Sequence, residues 1–363
     1  MIRVMTVVGA RPQFVKAAVV SHAIKRDGSV EELLVHTGQH YDYGMSQAFF
    51  DELGIPEPYV NLGISGGTHA EMTGRMMVAL ERQMDDTEPD LLLLYGDTNS
   101  TLAGALAAAK LHVPIAHVEA GARTRSMTNP EEINRICCDH VSSLLMACTE
   151  ANMTNLRDEG LGDRAVFVGD PMYDAFLGNM PSARRPMLKS IEDESLSEAP
   201  DVLYYLTCHR EENTADISAL EGILAAMQGL EYPVVYPVHP RNRARIVEAG
   251  LPSRYPNITF CEPVGYLESM WLVGHARQVV TDSGGLQREA FFAGVKCTTV
   301  LPFEVWPETM VAGRNVLAEP SESSIREAMA ATQTVDTSYM PFGDGHAAEA
   351  IVREIKSFLE DRK

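Results

Sequence analysis

The sequence predicts an α/β protein of two doubly wound domains, each a parallel sheet with helices on both faces. Three observations lead there. The chain has 363 residues, more than one ordinary core holds. Short apolar runs alternate with longer stretches of helical period along its whole length. The alternation starts afresh after Asp170, as it does when a second domain begins.

The first half offers strands at "IRVMTVV", "EELLVHT", "DLLLLYG", "PIAHVEA", "LLMACT" and "AVFVGD". The second offers "VLYYLTC", "PVVYPVH", "ITFCEP", "QVVTDS", "KCTTVL" and "NVLAEP". Their nearly unbroken Val, Leu and Ile suit strands covered on both faces. Helical stretches such as "AEMTGRMMVALERQM", "STLAGALAAAKL" and "ISALEGILAAMQGL" lie between them. The join falls at "VGDPMYDAF", so the domains are expected at 1–168 and 169–345. The polar "SARRPMLKSIEDESLSEAP" reads as a surface helix or loop just inside the second domain. The last segment, "GHAAEAIVREIKSFLEDRK", reads as an amphipathic helix.

Composition narrows the function. A net charge of -20 argues against a nucleic-acid partner, because a phosphate backbone needs a basic surface. It leaves room for one anionic ligand in a local basic pocket. The six cysteines form no CxxC pair and sit mostly in apolar runs, which points to free thiols in a reducing cytoplasm. "CCDH" (Cys137 to His140) reads as helix core rather than a metal site, because adjacent helical cysteines point in different directions. The chain opens on a strand-like "MIRVMTVVG", without signal-peptide features, and no apolar run is long enough to span a bilayer.

Doubly wound sheets bind ligands beyond the C-terminal ends of their strands, and two such sheets make the inter-domain cleft the expected site. In "GARPQFVK", Gly9 permits a tight turn and Pro12 suits a first helical position. Arg11 and Lys16 then stand near a helix start that already favours an anion. This is not a GxGxxG fingerprint, so no nicotinamide cofactor is expected. Asp97, in "DLLLLYGDTNS", is either a helix cap or a catalytic carboxylate, with Thr98 and Ser100 as the other possible caps. In "HVEAGARTRSMTNPEEINR", Glu131 and Glu132 begin a helix, where acidic groups are stabilising in any case. Glu119 has no such explanation, because it follows a buried strand directly, two residues after His117.

The second half ends its strands with His209, Arg210 and Asn213, with His239 and Arg241, and with Asp282. After Asp282, Ser283-Gly284-Gly285 leads straight into a helix whose backbone N–H groups suit a diphosphate, and Glu289 can accept from a ribose diol. A plain glycine turn into a helix is the competing reading.

"GARPQFVK", "GDTNS", "HVEAG", "PEEINR", "HREEN" and "DSGGLQREA" occur in this order across both halves. In these motifs the chain resembles the non-hydrolysing UDP-N-acetylglucosamine 2-epimerase family. "HTGQHYDYGMSQAFFDELGI" and "VGDPMYDAF" look most like its archaeal and related bacterial branch. The resemblance implies two Rossmann-like domains in the glycosyltransferase-B arrangement, with the last helix, 346–363, crossing back to the first. It implies interconversion of UDP-GlcNAc and UDP-ManNAc by a homodimer, without metal or cofactor. It implies Asp97, Glu119 and Glu131 as the acid/base carboxylates, and Arg11, Lys16 and His209 near the diphosphate and reacting sugar. Ser283, Gly284, Gly285 and Glu289 would hold diphosphate and ribose, with His239 nearby. Arg123, Arg125 and Arg135 would hold the carboxylates or contact the ligand.

Three departures from the family pattern stand out. Gln13 occupies a position where many relatives carry Glu. "QHYDYGMSQ" differs from the segment that binds a second, activating UDP-GlcNAc in some bacterial members. "LPFEVWPET" (Leu301 to Thr309) lacks the usual Arg. The rival readings are a 2-epimerase of UDP-2,3-diacetamido-2,3-dideoxyglucuronate, with Arg123 or Arg125 at the sugar carboxylate, a hydrolysing epimerase, a glycosyltransferase, and a non-catalytic nucleotide-sugar sensor.

Overall fold

A computed structural model describes residues 1–39 and 50–362, so most of "QHYDYGMSQ" lies outside the described residues. The chain forms two compact units: Met1–Leu177 with Met340–Lys363, and Gly178–Tyr339. Residues 169–177 and 340–345, assigned by the sequence to the second domain, cluster with the first unit. Asp170 N donates to Phe342 O at 2.9 Å, and the Asp174 carboxylate accepts from Ala347 N and Ala348 N.

The first unit holds a seven-stranded parallel sheet: β1 (Ile2–Val8), β2 (Val30–His36), β3 (Val60–Asn61), β4 (Leu91–Tyr95), β5 (Ile115–Val118), β6 (Leu144–Ala147) and β7 (Ala165–Phe167). Its spatial order is β3-β2-β1-β4-β5-β6-β7. The order reverses between β1 and β4, so their C-terminal ends splay apart into a crevice. Every residue of β4 is buried, as its unbroken Leu run requires. Helices His69–Thr87 and Asn99–Leu111 pack one side through Met76, Leu80, Met84 and a row of alanines. The closing helix, Ala347–Glu360, lies against Arg11–Asp27, with Lys356 Nζ donating to Asp27 at 2.7 Å and Arg26 pairing with Glu349.

The second unit repeats the plan with β10 (Leu203–Thr207), β11 (Val234–Pro237), β12 (Ile258–Cys261), β13 (Ala276–Thr281), β14 (Cys297–Thr299) and β15 (Asn315–Leu317). Its order is β12-β11-β10-β13-β14-β15, with the reversal between β10 and β13. The polar segment read as a surface helix or loop is instead an antiparallel hairpin, β8 (Met187–Lys189) with β9 (Leu196–Glu198). Only Leu188 and Ile191 turn inward there, too few apolar residues to mark a strand in the sequence. No described helix is long and apolar enough to cross a membrane.

Candidate active site

The first unit's candidate residues gather at the switch between β1 and β4. After β1, Gly9 passes so close to its neighbours that a Cβ would lie 2.2 Å from Ser100 Oγ and 2.3 Å from Thr37 Oγ1. Gln13 then locks the turn. Its Oε1 accepts from Gly9 N and Ala10 N at 2.8 and 3.0 Å, and its Nε2 donates to Tyr95 O and Thr101 Oγ1 at 2.8 and 3.0 Å. This accounts for the amide at that position. A carboxylate would accept the same N–H groups but would set a negative oxygen against the Tyr95 carbonyl. Helix Arg11–Asp27 follows, with partly exposed Arg11 at its first position. Lys16 is buried one turn in, and its ammonium pairs with the Glu119 carboxylate.

After β4, Thr98 caps helix Asn99–Leu111, its Oγ1 accepting from Thr101 N at 3.3 Å. Asp97 is therefore released from capping, and its carboxylate pairs with Arg135. After β5, Glu119 is buried with φ 72°, in the left-handed region. A Cβ-bearing residue held there costs free energy, and such strain concentrates at functional positions. Helix Pro130–Val141 is capped by Asn129, whose Oδ1 accepts from Glu131 N at 3.1 Å. Its two leading glutamates differ in role. Glu132 is buried and accepts from Thr124 N and Arg125 N at 2.8 Å, which folds the 119–130 loop back onto the helix. Glu131 is only partly buried.

Arg135 is the hub. Burial opposes its charge, but Asp97, Glu119, Glu132 and Glu131 act on it together and raise its pKa. Asp97 and Glu119, from elsewhere in the sequence, and Glu131 and Glu132, from its own helix, thus act on one guanidinium. Arg123 has a different place. It donates to both Glu159 oxygens at 2.7–2.8 Å and lies 2.7 Å from Asp139, a structural set remote from the role expected of it. Arg125 is exposed and donates to Asn155 Oδ1 at 3.2 Å. Glu119, Cys148 and Asp170 also bring one ligand-type atom each within 4.8 Å of one another, but the Lys16 cation already sits on Glu119. The "CCDH" residues split between helix core at Cys138 and a contact of Asp139 with His117.

At the second unit's switch the organiser is Asp282, to which sequence reasoning gave no role. Its Oδ2 accepts from His209 N and Arg210 N at 2.9 Å, and its Oδ1 lies 3.0 Å from His209 Nδ1. Burial opposes ionisation of this carboxyl, yet His209 and the backbone N–H groups pull it down to about 2. The signal available in the sequence was an Asp at the end of a buried strand, next to the helix turn. The His209 ring remains 41% exposed, and its centre lies 6.0 Å from that of His239. His239 caps helix Pro240–Glu248 through Nδ1, which accepts from Arg241 N at 3.3 Å.

Ser283 caps helix Gly284–Phe292, so its hydroxyl and its own N–H are engaged, with Leu286 N and Thr281 Oγ1. Gly284 and Gly285 head the helix. Glu289 is buried farther along it. The divergent "LPFEVWPET" wraps this turn. Trp306 stacks under the Arg288 guanidinium at 4.0 Å, and its Nε1 lies 3.4 Å from where a Gly284 Cβ would stand. Phe303 lies 5.7 Å from the Arg210 guanidinium.

The sequence profile of the UDP-N-acetylglucosamine 2-epimerase family matches residues 22–356. The chain belongs to this family. A UDP-N-acetylglucosamine 2-epimerase homolog of Methanococcus maripaludis is 41% identical over 359 residues, covering 98% of this chain and 99% of that one. A UDP-2,3-diacetamido-2,3-dideoxy-D-glucuronate 2-epimerase of Pseudomonas aeruginosa is 43% identical over 357 residues, covering 96% and 98%. The crystal structure of Methanocaldococcus jannaschii UDP-GlcNAc 2-epimerase in complex with UDP-GlcNAc and UDP matches with a TM-score of 0.87 at 34% identity, covering 98% and 100%. The epimerase fold of two α/β domains is thereby established for this chain.

Proposed function

We propose that this epimerase interconverts UDP-GlcNAc and UDP-ManNAc without hydrolysis, by eliminating UDP to 2-acetamidoglucal and adding it back with inversion at C2. The observation that carries the reading is the Asp97–Arg135 pair, with the charges of Glu119 and Glu131 acting on the same guanidinium. The C2 proton of the sugar has no ring carbonyl beside it, so an enolate route is closed. In the elimination, a carboxylate takes the C2 proton, the C2–H electrons form the C1–C2 double bond, and the C1–O electrons leave with UDP. Re-addition reverses these steps with protonation on the opposite face. Proton-handling groups on both faces are then required, and one carboxylate does not provide them.

Lys16, Arg11 and the N–H groups of Gly284 and Gly285 match the charge that develops on the leaving diphosphate. His209, fixed by Asp282, serves at the same diphosphate. Glu289 takes the ribose. The reading includes no metal or cofactor, a homodimeric assembly, and a cytoplasmic location that the free cysteines favour.

A second reading, 2-epimerisation of UDP-2,3-diacetamido-2,3-dideoxyglucuronate, is favoured by the 43% identity to the Pseudomonas enzyme. Of the two arginines expected at the sugar carboxylate in that case, Arg123 pairs with Asp139 and Glu159, and Arg125 is exposed.

Proton NMR of the purified protein with each sugar nucleotide in heavy water separates the two. UDP-ManNAc carrying deuterium at C2 is the expected product from UDP-GlcNAc. Turnover of the diacetamido-uronate alone supports the second reading. Free ManNAc with UDP overturns the non-hydrolytic mechanism.

A further inference from the structure

A buried ionic cluster stands beside the three carboxylates, and the proposed chemistry does not use it. The Asp139 carboxylate is fully buried and faces three donors. His117 Nδ1 lies 2.7 Å from Oδ1, and Gly121 N and Arg123 Nη2 lie 3.0 and 2.7 Å from Oδ2. Burial alone would raise this carboxyl, but His117, Arg123 and the Gly121 N–H hold it below the ordinary carboxylate value. The other ring nitrogen of His117, Nε2, lies 2.7 Å from Gly96 O. A carbonyl only accepts, so the ring donates there, while Nδ1 faces the Asp139 carboxylate.

The positions of these partners matter. Gly96 immediately precedes Asp97. Gly121 closes the turn that begins at Glu119. Asp139 follows Arg135 by four residues and Glu131 by eight, which sets all three on one face of helix Pro130–Val141. One carboxylate therefore ties together the three segments that carry the three candidate acid/base groups. The turn it holds needs holding. Glu119 has a positive φ, and a Gly121 Cβ would fall 2.4 Å from Asn152 O. Buried ion clusters are a poor source of net stability compared with apolar packing, and their best-attested return is a specified geometry.

We propose that Asp139 is a positioning residue which, through His117, Gly121 and Arg123, keeps the Gly96–Asp97 and Glu119–Gly121 turns in register with the helix bearing Glu131. This rests on the reading of Asp97, Glu119 and Glu131 as the groups that handle protons.

The test compares D139A, D139N and H117F with wild type, measuring kcat, UDP affinity by calorimetry and deuterium entry at C2. In D139N the amide oxygen still accepts from Gly121 N, and the amide nitrogen stands opposite His117 Nδ1. Its kcat is expected within about tenfold of wild type. In D139A the turns lose their anchor, and kcat and deuterium entry fall about a hundredfold while UDP affinity holds. Wild-type kcat in D139A, a UDP affinity that falls as far as kcat, or equal loss in D139N overturns the proposal. Should D139A fail to fold, H117F decides: it keeps the ring volume and removes both hydrogen bonds, and wild-type kcat in it overturns the proposal. If wild type turns over neither sugar nucleotide, the functional reading fails separately. A crystal structure of D139A then decides: Glu119 still at positive φ and paired with Lys16 overturns the positioning role, and relaxation of the turn supports it.

Discussion

Lys16 and Glu119 stand 103 residues apart in the chain and form a buried ion pair in the fold. The pair joins the first helix after β1 to the residue that follows β5. Removing Lys16 takes the ammonium away from a buried carboxylate, whereas replacing Glu119 with Gln keeps an acceptor oxygen for that ammonium. E119Q is therefore expected to fold, to bind UDP as wild type does, and to lose turnover by about 10³-fold. Calorimetry with UDP and the heavy-water NMR assay measure both quantities, and undiminished turnover rejects the assignment of Glu119.

Arg135 balances several carboxylates at once, although its Nε finds no hydrogen-bond partner among the described residues. R135M strips the counter-charge from Asp97 and from fully buried Glu132. A loss of about 3 kcal/mol in urea unfolding is expected, because broken buried pairs leave uncompensated charge. R135K recovers only part of it, since one ammonium does not reproduce a planar guanidinium fork between two carboxylates. A loss under about 1 kcal/mol in R135M, the range of an exposed pair, contradicts the hub.

Two glycines with positive φ test whether the Glu119 turn is tightly packed. A Cβ on Gly121 meets a main-chain oxygen at 2.4 Å, while one on Gly63, at φ 62°, meets nothing within 4 Å. G63A carries the conformational cost alone, about 1 kcal/mol. G121A adds an overlap that backbone must relieve, for a total of about 3 kcal/mol. Urea titrations of the two variants give the comparison, and equal losses refute the close approach.

Asp282 ties pH to the second unit. Its folded pKa, about 2, lies below the ordinary 3.8. A depressed carboxylate contributes stability that is full above its unfolded pKa and disappears as pH falls through the folded one. The contribution, on the order of 2 kcal/mol, is therefore present above pH ~4 and lost between ~4 and ~2. Urea unfolding of wild type and D282N should differ at pH 5 and converge towards pH ~2. A difference that does not shrink over that window removes Asp282 as the organiser of His209.

Much of this protein was legible in one dimension. Unbroken apolar runs such as "DLLLLYG" specify strands buried on both faces, and their alternation with helical periods leads to two parallel sheets. Residues at strand ends are readable because such sheets expose their C-terminal edges, and Asp97, Glu119 and the Ser283-Gly284-Gly285 turn were found in that way. The hairpin at 187–198 was not legible, because a strand pair covering little core carries no apolar alternation.

What only the tertiary structure decided was partnership. The sequence left Asp97 between cap and chemistry, and Thr98 took the cap. It offered three arginines for the carboxylates, and Arg135 took Asp97 and Glu132 while Arg123 went to Asp139 and Glu159. It gave no hint that Asp139 organises the turns around it, and of Asp282 it showed only the place at the end of a buried strand. Charge pairing acts over a few ångströms of space, and separations of 38 residues for Asp97–Arg135 or 73 for His209–Asp282 have no signature along the chain until the sheets bring the strand ends together.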